Sequence, residues 1–301
     1  MIMKPHQNLP TLLLSVLCLA ALPTISALSL QTPVIAQTSS RSMEVRRVIG
    51  NVTFRNSFTR AKSGDRLTNV GQGLSTGSRS SAVLALDAGI GTVSVSAKTS
   101  FLIKEFNTTS NGGKVTVIQV TKGQVRVNVR PFTNPQSRLQ VKTPAGIAGV
   151  RGTEFGVAVA DNGQTNVLTN EGSVAVSDPN KGETVEVNAG YATIVVEGEA
   201  PTEPVQFIEN LDLEVSRARL NADGVWEMKG KVDPFNFIWI DDEQVQVQED
   251  GSFEMNYARL PQGLTTVRML TPLGSTKTTY LFVREESFPI QLRGEEDEFA
   301  G

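Results

Sequence analysis

Arg151 and Glu154, separated by Gly152 and Thr153, are the first pair in this 301-residue chain whose types could do chemistry. A guanidinium and a carboxylate at that spacing can recognise a partner loop. They can equally serve a bend, with Gly149 and Gly152 freeing the backbone while Arg151 satisfies nearby carbonyls or Glu154. Asp241, Asp242 and Glu243 form an acidic run. Consecutive residues point different ways, whereas two-carboxylate catalysis needs groups facing one substrate across a defined gap, so the run reads as a solvated turn. Asp161-Asn162-Gly163 lacks Ca²⁺-loop spacing and reads as a hairpin turn. Along the strand-like run Gln124–Arg130, the side chains of Arg126, Asn128 and Arg130 share one face. With Arg138 and Lys142 they make a candidate anion-binding face for a glycan, a lipid head group or an acidic protein. The alternative is a plain solvent face.

The start of the chain removes other chemistries. Lys4 and His6 form a short basic start, Leu12–Leu22 is apolar but for Ser15, and Val34-Ile35-Ala36 precedes Gln37 as a peptidase site. That apolar run is shorter than the roughly 20 residues a span needs. The expectation is a signal peptide over residues 1–36 and a periplasmic, secreted or surface chain with no integral span after cleavage. Leu17 before Cys18 argues against a lipoprotein. Cleavage would remove Cys18 and His6, the only cysteine and histidine. No disulfide, no Cys–His nucleophile pair and no Cys- or His-based zinc site could then form. Neither metal nor cofactor is expected. Carboxylate and Ser–Lys pairs stay formally open, but no nucleophile elbow or phosphate loop appears, so the chain does not read as an enzyme.

The elements that must position these residues read as all-β. Five phrases run Gly, polar, Val, polar, then Val or Phe, starting at Gly50, Gly91, Gly113, Gly123 and Gly172. Each begins a period-two strand after a glycine turn, and together they suggest a rolled or solenoid-like stack of short strands. Ala200-Pro201-Thr202-Glu203-Pro204 reads as a stiff linker. Beyond it about seven short strands, divided by turns such as Asp241-Asp242 and Asp250-Gly251, suggest a β-sandwich. The expected division is a first β domain over residues 37–199, a linker over 200–208, a sandwich over 209–287 and an acidic, disordered tail over 288–301.

The segment Val141-Lys142-Thr143-Pro144-Ala145-Gly146-Ile147-Ala148-Gly149-Val150-Arg151-Gly152-Thr153-Glu154-Phe155 resembles the signature of the FecR domain family. Gly64-Asp65-Arg66-Leu67 with Leu74–Ala82, Thr99–Ile103, Glu171–Val176 and Ala189-Gly190-Tyr191-Ala192 resemble other family positions in order, so the likeness covers about residues 43–196. It implies a FecR-type β domain and a binding role in the envelope. Within the signature, Thr143, Pro144, Gly149, Val150, Arg151, Gly152, Thr153, Glu154 and Phe155 are taken as structural. Known members relay a signal from an outer-membrane transporter to a sigma factor. The chain shows no cytoplasmic segment ahead of its apolar run, so sigma-factor control is not implied. The second stretch is similar to bacterial Ig-like modules at Gly230, Val232, Pro234, Asp250, Gly251, Ser252, Phe253, Leu260 and Gly263, but departs from them at Asp241-Asp242-Glu243.

Charge is uneven: Gln37–Ala200 carries 18 Lys+Arg and 12 Asp+Glu, Pro201–Gly301 carries 9 and 19. Either the split is chance on solvated faces, or the halves have different partners or dock on each other. Nucleic acid is not expected as a partner, since the exported chain is acidic overall and lacks aromatic residues among its basic ones. Two functional readings remain. One is a non-enzymatic envelope protein that binds a protein or wall component, with a part in signalling. The other is a structural or adhesive wall-associated scaffold.

Overall fold

The computed structural model describes residues 41–55, 57–87, 89–220, 225–257, 263–283 and 292–295. The leader expected over residues 1–36 lies outside them. Among the described residues no helix is long and apolar enough to cross a membrane. Every regular element among the described residues is a strand, as the alternating Val- and Thr-rich runs lead one to expect.

The first module holds β1 (Met43–Ile49), β2 (Val52–Phe54), β3 (Arg66–Leu67), β4 (Gly73–Thr76), β5 (Ser81–Leu86), β6 (Gly91–Val95), β7 (Ser100–Thr108) and β8 (Lys114–Val129). It continues with β9 (Arg138–Lys142), β10 (Ile147–Val150), β11 (Glu154–Val159), β12 (Thr165–Glu171), β13 (Ser173–Ser177), β14 (Thr184–Asn188), β15 (Tyr191–Val195) and β16 (Val205–Gln206). β8 is the axis. Its first half pairs with β7 and β9, its second half with β6 and β11. Gly123, at φ +84°, sits where the strand passes from one sheet to the other, and a Cβ there would lie 2.5 Å from the Thr99 Cα.

One sheet therefore runs β3-β1-β5-β6-β8-β11-β12-β15-β16 and the other β2-β4-β7-β8-β9-β10-β13-β14. All neighbours are antiparallel except β8 and β9. The strands wrap as a roll around one apolar core that includes Met43, Leu84, Phe101, Ile118, Val127, Leu139, Phe155 and Val176. Each such side chain contributes about 1.5–3 kcal/mol by leaving water.

The second module is a two-sheet sandwich. β17 (Glu214–Leu220), β18 (Trp226–Lys231) and β21 (Ser252–Tyr257) form one sheet. β19 (Phe237–Ile240), β20 (Glu243–Val245), β22 (Gly263–Leu270), β23 (Thr276–Val283) and β24 (Leu292–Glu295) form the other. Met228, Ile238, Phe253, Met269 and Leu281 fill the space between. Asp241 and Asp242 join β19 to β20 with φ of +48° and +71°, the left-handed pair that a two-residue hairpin requires. The acidic run is thus an exposed turn.

Two sequence expectations need adjustment. The stretch 200–208 connects the modules without standing free of the sheet: Thr202 accepts from the Thr193 hydroxyl at 2.6 Å, and β16 pairs with β15. The acidic end, expected to be disordered from 288, supplies β24, whose backbone pairs with β23. The remainder of that end lies outside the described residues.

From Ser40 onward the chain forms one compact unit. β11 is buried at every position because the core covers one face and the second module the other. Ala158 packs with Phe237, Trp239 and Leu270, while Leu168, Ala192 and Ile194 pack with Phe235. Polar contacts fix the alignment. Gln124 Nε2 donates to the carbonyls of Thr271 (2.8 Å) and Pro272 (2.5 Å), and Asn166 Nδ2 donates to that of Phe235 at 3.0 Å.

Candidate functional site

The segment Thr143–Phe155 does two local jobs. Thr143 to Gly146 close a tight hairpin between β9 and β10, with the Thr143 amide on the Gly146 carbonyl at 2.9 Å. The Gly146 amide donates to the buried Thr143 hydroxyl at 3.0 Å, and the Thr165 hydroxyl donates to the same oxygen at 2.9 Å. Pro144 is exposed at the turn, and Ala145 is buried in the core.

After Val150, buried in the core, the chain leaves one sheet and enters the other at β11. Gly152 makes that passage at φ +137°, and a Cβ there would come within 2.6 Å of the Pro131 nitrogen. The Arg151 and Thr153 carbonyls accept from Phe132 (2.8 Å) and Val129 (3.0 Å), which ties the crossing to the end of β8. Thr153 and Glu154 are buried, and Phe155 is fully inside.

Glu154 does not pair with Arg151. It takes Arg126, whose Nε donates to Oε1 at 2.7 Å and whose Nη2 also contacts that oxygen. The pair is diagonal across β8 and β11, since Arg126 stands opposite Gly156 and Glu154 opposite Asn128.

The five basic-face candidates divide between two surfaces. Arg126, Asn128 and Arg130 are exposed at alternate positions on one sheet. Gln124, next in that row, is covered by the second module. Arg138 and Lys142 lie on the other sheet, on β9. Arg138 Nη2 stands 3.7 Å from Glu105 Oε2, with both side chains about half exposed. The cation that joins Arg138 is Arg151. Val150 pairs with Leu139, so the next residues, Arg151 and Arg138, stand side by side at the end of β10 and β9.

These two arginines border a shallow depression of about 1100 Å³ on the outer face of β9, β10, β13 and β14. Its floor is a cross-strand row in which Gln140 faces Gly149 and Gly149 faces Ala175, which in turn faces Glu186. The Ser173 hydroxyl donates to Glu186 Oε1 at 2.6 Å. Thr109, Pro135 and Gln136 form a wall at one end.

Gly149 is informative here. Its φ is not in the left-handed region, and an added Cβ would meet no atom closer than 3.8 Å. Neither backbone nor crowding requires a glycine, so its effect is on the surface: it lowers the floor between the cations and Glu186. Sequence reasoning placed Gly149 among structural positions and did not find Gln140, Ala175 or Glu186. The signal available was a Gly and an Ala at outward positions of two strands that pair.

The depression offers two guanidinium groups, an amide and a carboxylate along an extended trough. That suits binding an extended polar segment. Among the described residues no three His, Cys, Asp or Glu side chains are placed to hold a metal ion.

Residues 72–175 match the family model of the FecR protein. The chain therefore carries a FecR domain, although the fold unit built around its core reaches from Met43 to Val195. No curated protein matches the chain. Two crystal structures of a "putative anti-sigma factor" from Parabacteroides distasonis ATCC 8503, at 2.50 and 1.65 Å, are similar over 45% of this chain at 18% identity, with a TM-score of 0.36. The matched part spans 59% of that protein's chain.

Proposed function

We propose that this chain is a non-enzymatic binding protein of the cell envelope, exported through its leader, whose FecR domain takes an extended acidic segment of a partner protein in signalling. The trough over Gly149 and Ala175 carries this reading. Its low floor admits a polypeptide strand, and Arg138 and Arg151 stand side by side to receive carboxylates. The second module, taken as an Ig-like spacer, covers the opposite sheet and leaves this face outward.

Arginine is suited to the role because its planar fork binds carboxylates through two parallel donors. Arg126, held by Glu154, contributes less. Lys142, four residues from Arg138 at the other end of β9, adds charge that steers approach more than it adds affinity.

The test is capture of envelope components on the immobilised chain, wild type against Gly149→Leu and against an Arg138→Glu, Arg151→Glu double variant. Both variants should melt like the wild type and lose the captured protein. Equal capture by all three would defeat the assignment. Retention of purified wall glycan with no stoichiometric protein would favour the wall-associated scaffold instead.

A further inference from the structure

The turn after β2 is built in a way that neither the partner trough nor the core explains. Phe58 is fully exposed at its tip, at 104% of the reference area. Single exposed apolar residues are ordinary on protein surfaces. A phenylalanine with none of its surface covered is different, because it contributes nothing to folding where it stands.

The turn that carries it is well held. The Phe54 amide donates to the Thr59 carbonyl at 3.0 Å, the Ser57 amide to the Phe54 carbonyl at 3.2 Å, and Ala61 to Val52 at 2.9 Å. The Arg55 amide donates to Gly73 at 2.9 Å, which brings the tip beside the turn 68–72, where Val70 is 56% exposed. The Gly71 amide in turn donates to the Ile103 carbonyl at 2.9 Å, so exposed Lys104 borders the same end.

Cations outnumber acids around these apolar points, where the nearby carboxylates are Asp65, half-buried and accepting from the Lys62 amide at 2.9 Å, and Glu105 beside Lys104. Arg55, Arg60 and Lys62 are exposed, and the stretch from Asn51 to Gly64 contains no acidic residue. An aromatic ring projecting from a held turn and flanked along the chain by cations matches the chemistry of an anionic bilayer surface: head-group phosphates meet the cations and the ring enters the interfacial layer.

We propose that this end of the roll, with Phe58 as a wedge and Arg55, Arg60 and Lys62 as head-group contacts, is a peripheral docking point for anionic lipid. It is independent of the trough, which lies on β9, β10, β13 and β14. The two sites would let the protein sit on a membrane while holding a partner.

The test is vesicle co-sedimentation. The chain from Gln37 onward is the right material, because the unit from Ser40 is compact by itself and the leader's apolar run would enter bilayers on its own account. Phosphatidylglycerol vesicles should retain it and phosphatidylcholine vesicles should not. Phe58→Ser should lower the partition coefficient about tenfold, the loss of an apolar ring from the interface. Each Arg→Glu change at Arg55 or Arg60 should lower it at least about fivefold, near 1 kcal/mol per cation at such a surface. All these residues are exposed, so melting temperatures should hold. A Phe58→Trp variant should add a blue-shifted fluorescence component on phosphatidylglycerol vesicles only. Absence of vesicle binding, or binding indifferent to Phe58→Ser, overturns the proposal. So does Phe58-dependent binding confined to a protein ligand.

Discussion

Gly156 is the position where one methyl group should separate the two modules. It lies on β11 opposite Arg126, with its outward side against the second module. A Cβ there would fall inside the shell of the Pro272 carbonyl oxygen and 2.8 Å from its carbon, about 1 Å closer than carbon and oxygen tolerate. The turn it meets is stiff: Thr271 donates to Ser275 and Gly274 to Thr271, both at 2.9 Å. A side chain would therefore push the turn bodily outward. That shift breaks the bonds from Gln124 Nε2 to Thr271 and Pro272, while Gln124 stays only 1% exposed. Overpacking costs about 1–3 kcal/mol, and a buried amide left without acceptors costs a further 1–3 kcal/mol or so. Reduced freedom of the unfolded chain returns about 0.4–1 kcal/mol. Gly156→Ala should thus destabilise by about 2–4 kcal/mol and split one urea transition into two, with Trp239 fluorescence changing first. Gly149→Ala is the control, since its Cβ has space, and should be neutral or slightly stabilising. If Gly156→Ala matches that control, the account of the inter-module contact is mistaken.

Three further outcomes are expected. Asp87→Ala removes the counter-ion of Arg41, whose Nη2 lies 2.8 Å from Asp87 Oδ2 with the side chains 8% and 3% exposed and whose Nη1 keeps the Asn107 and Val115 carbonyls; chemical denaturation should show a loss of about 3–5 kcal/mol. Gly152→Ala places a side chain at φ +137° against Pro131 and should cost more than about 1 kcal/mol, read as a lower melting temperature. Burial raises the Asp233 carboxyl above its ordinary value, against the smaller lowering effect of the Phe235 amide. The folded state then holds that proton more tightly than the unfolded chain, so this group opposes folding at neutral pH. The penalty fades as pH falls through the raised value toward the ordinary one. Asp233→Asn should therefore raise stability at pH 7 more than at pH 4, and the reverse ordering would count against burial as the cause.

How far the sequence reached depends on the range of the interaction concerned. Period-two runs and glycine turns are local, and β13 shows their result, with Val174 and Val176 buried and Ala175 exposed between them. Asp241-Asp242 was legible as a turn because neighbouring residues settle it. The signature Thr143–Phe155 was legible as a unit, yet its physical role, carrying the chain between two sheets, needed the position of Pro131 beside Gly152. Glu154's partner was not readable. Arg151 is three residues away, while Arg126 is reached only through the β8–β11 register. The trough was hidden for the same reason. Gly149 and Ala175 are 26 positions apart and meet only because β10 pairs with β13.

The charge contrast between the halves shows where sequence bookkeeping misleads. A net of +6 against −10 invites the idea that electrostatics holds the modules together. Among the described residues, the ion pair across the contact is Lys98 with Asp242 at 3.3 Å, and Asp242 is 83% exposed. Such a pair contributes about 0–1 kcal/mol. The buried side chains of Phe235, Phe237, Trp239 and Leu270 supply far more at about 1.5–3 kcal/mol each. Salt should then leave the modules joined. At 1 M the screening length is about 3 Å, enough to abolish attraction between exposed charges, yet the chain should still unfold in one step. The same salt should release an acidic segment from Arg138 and Arg151, because those guanidinium groups face solvent. Two transitions at high salt would mean that charge, rather than the apolar contact, joins the halves.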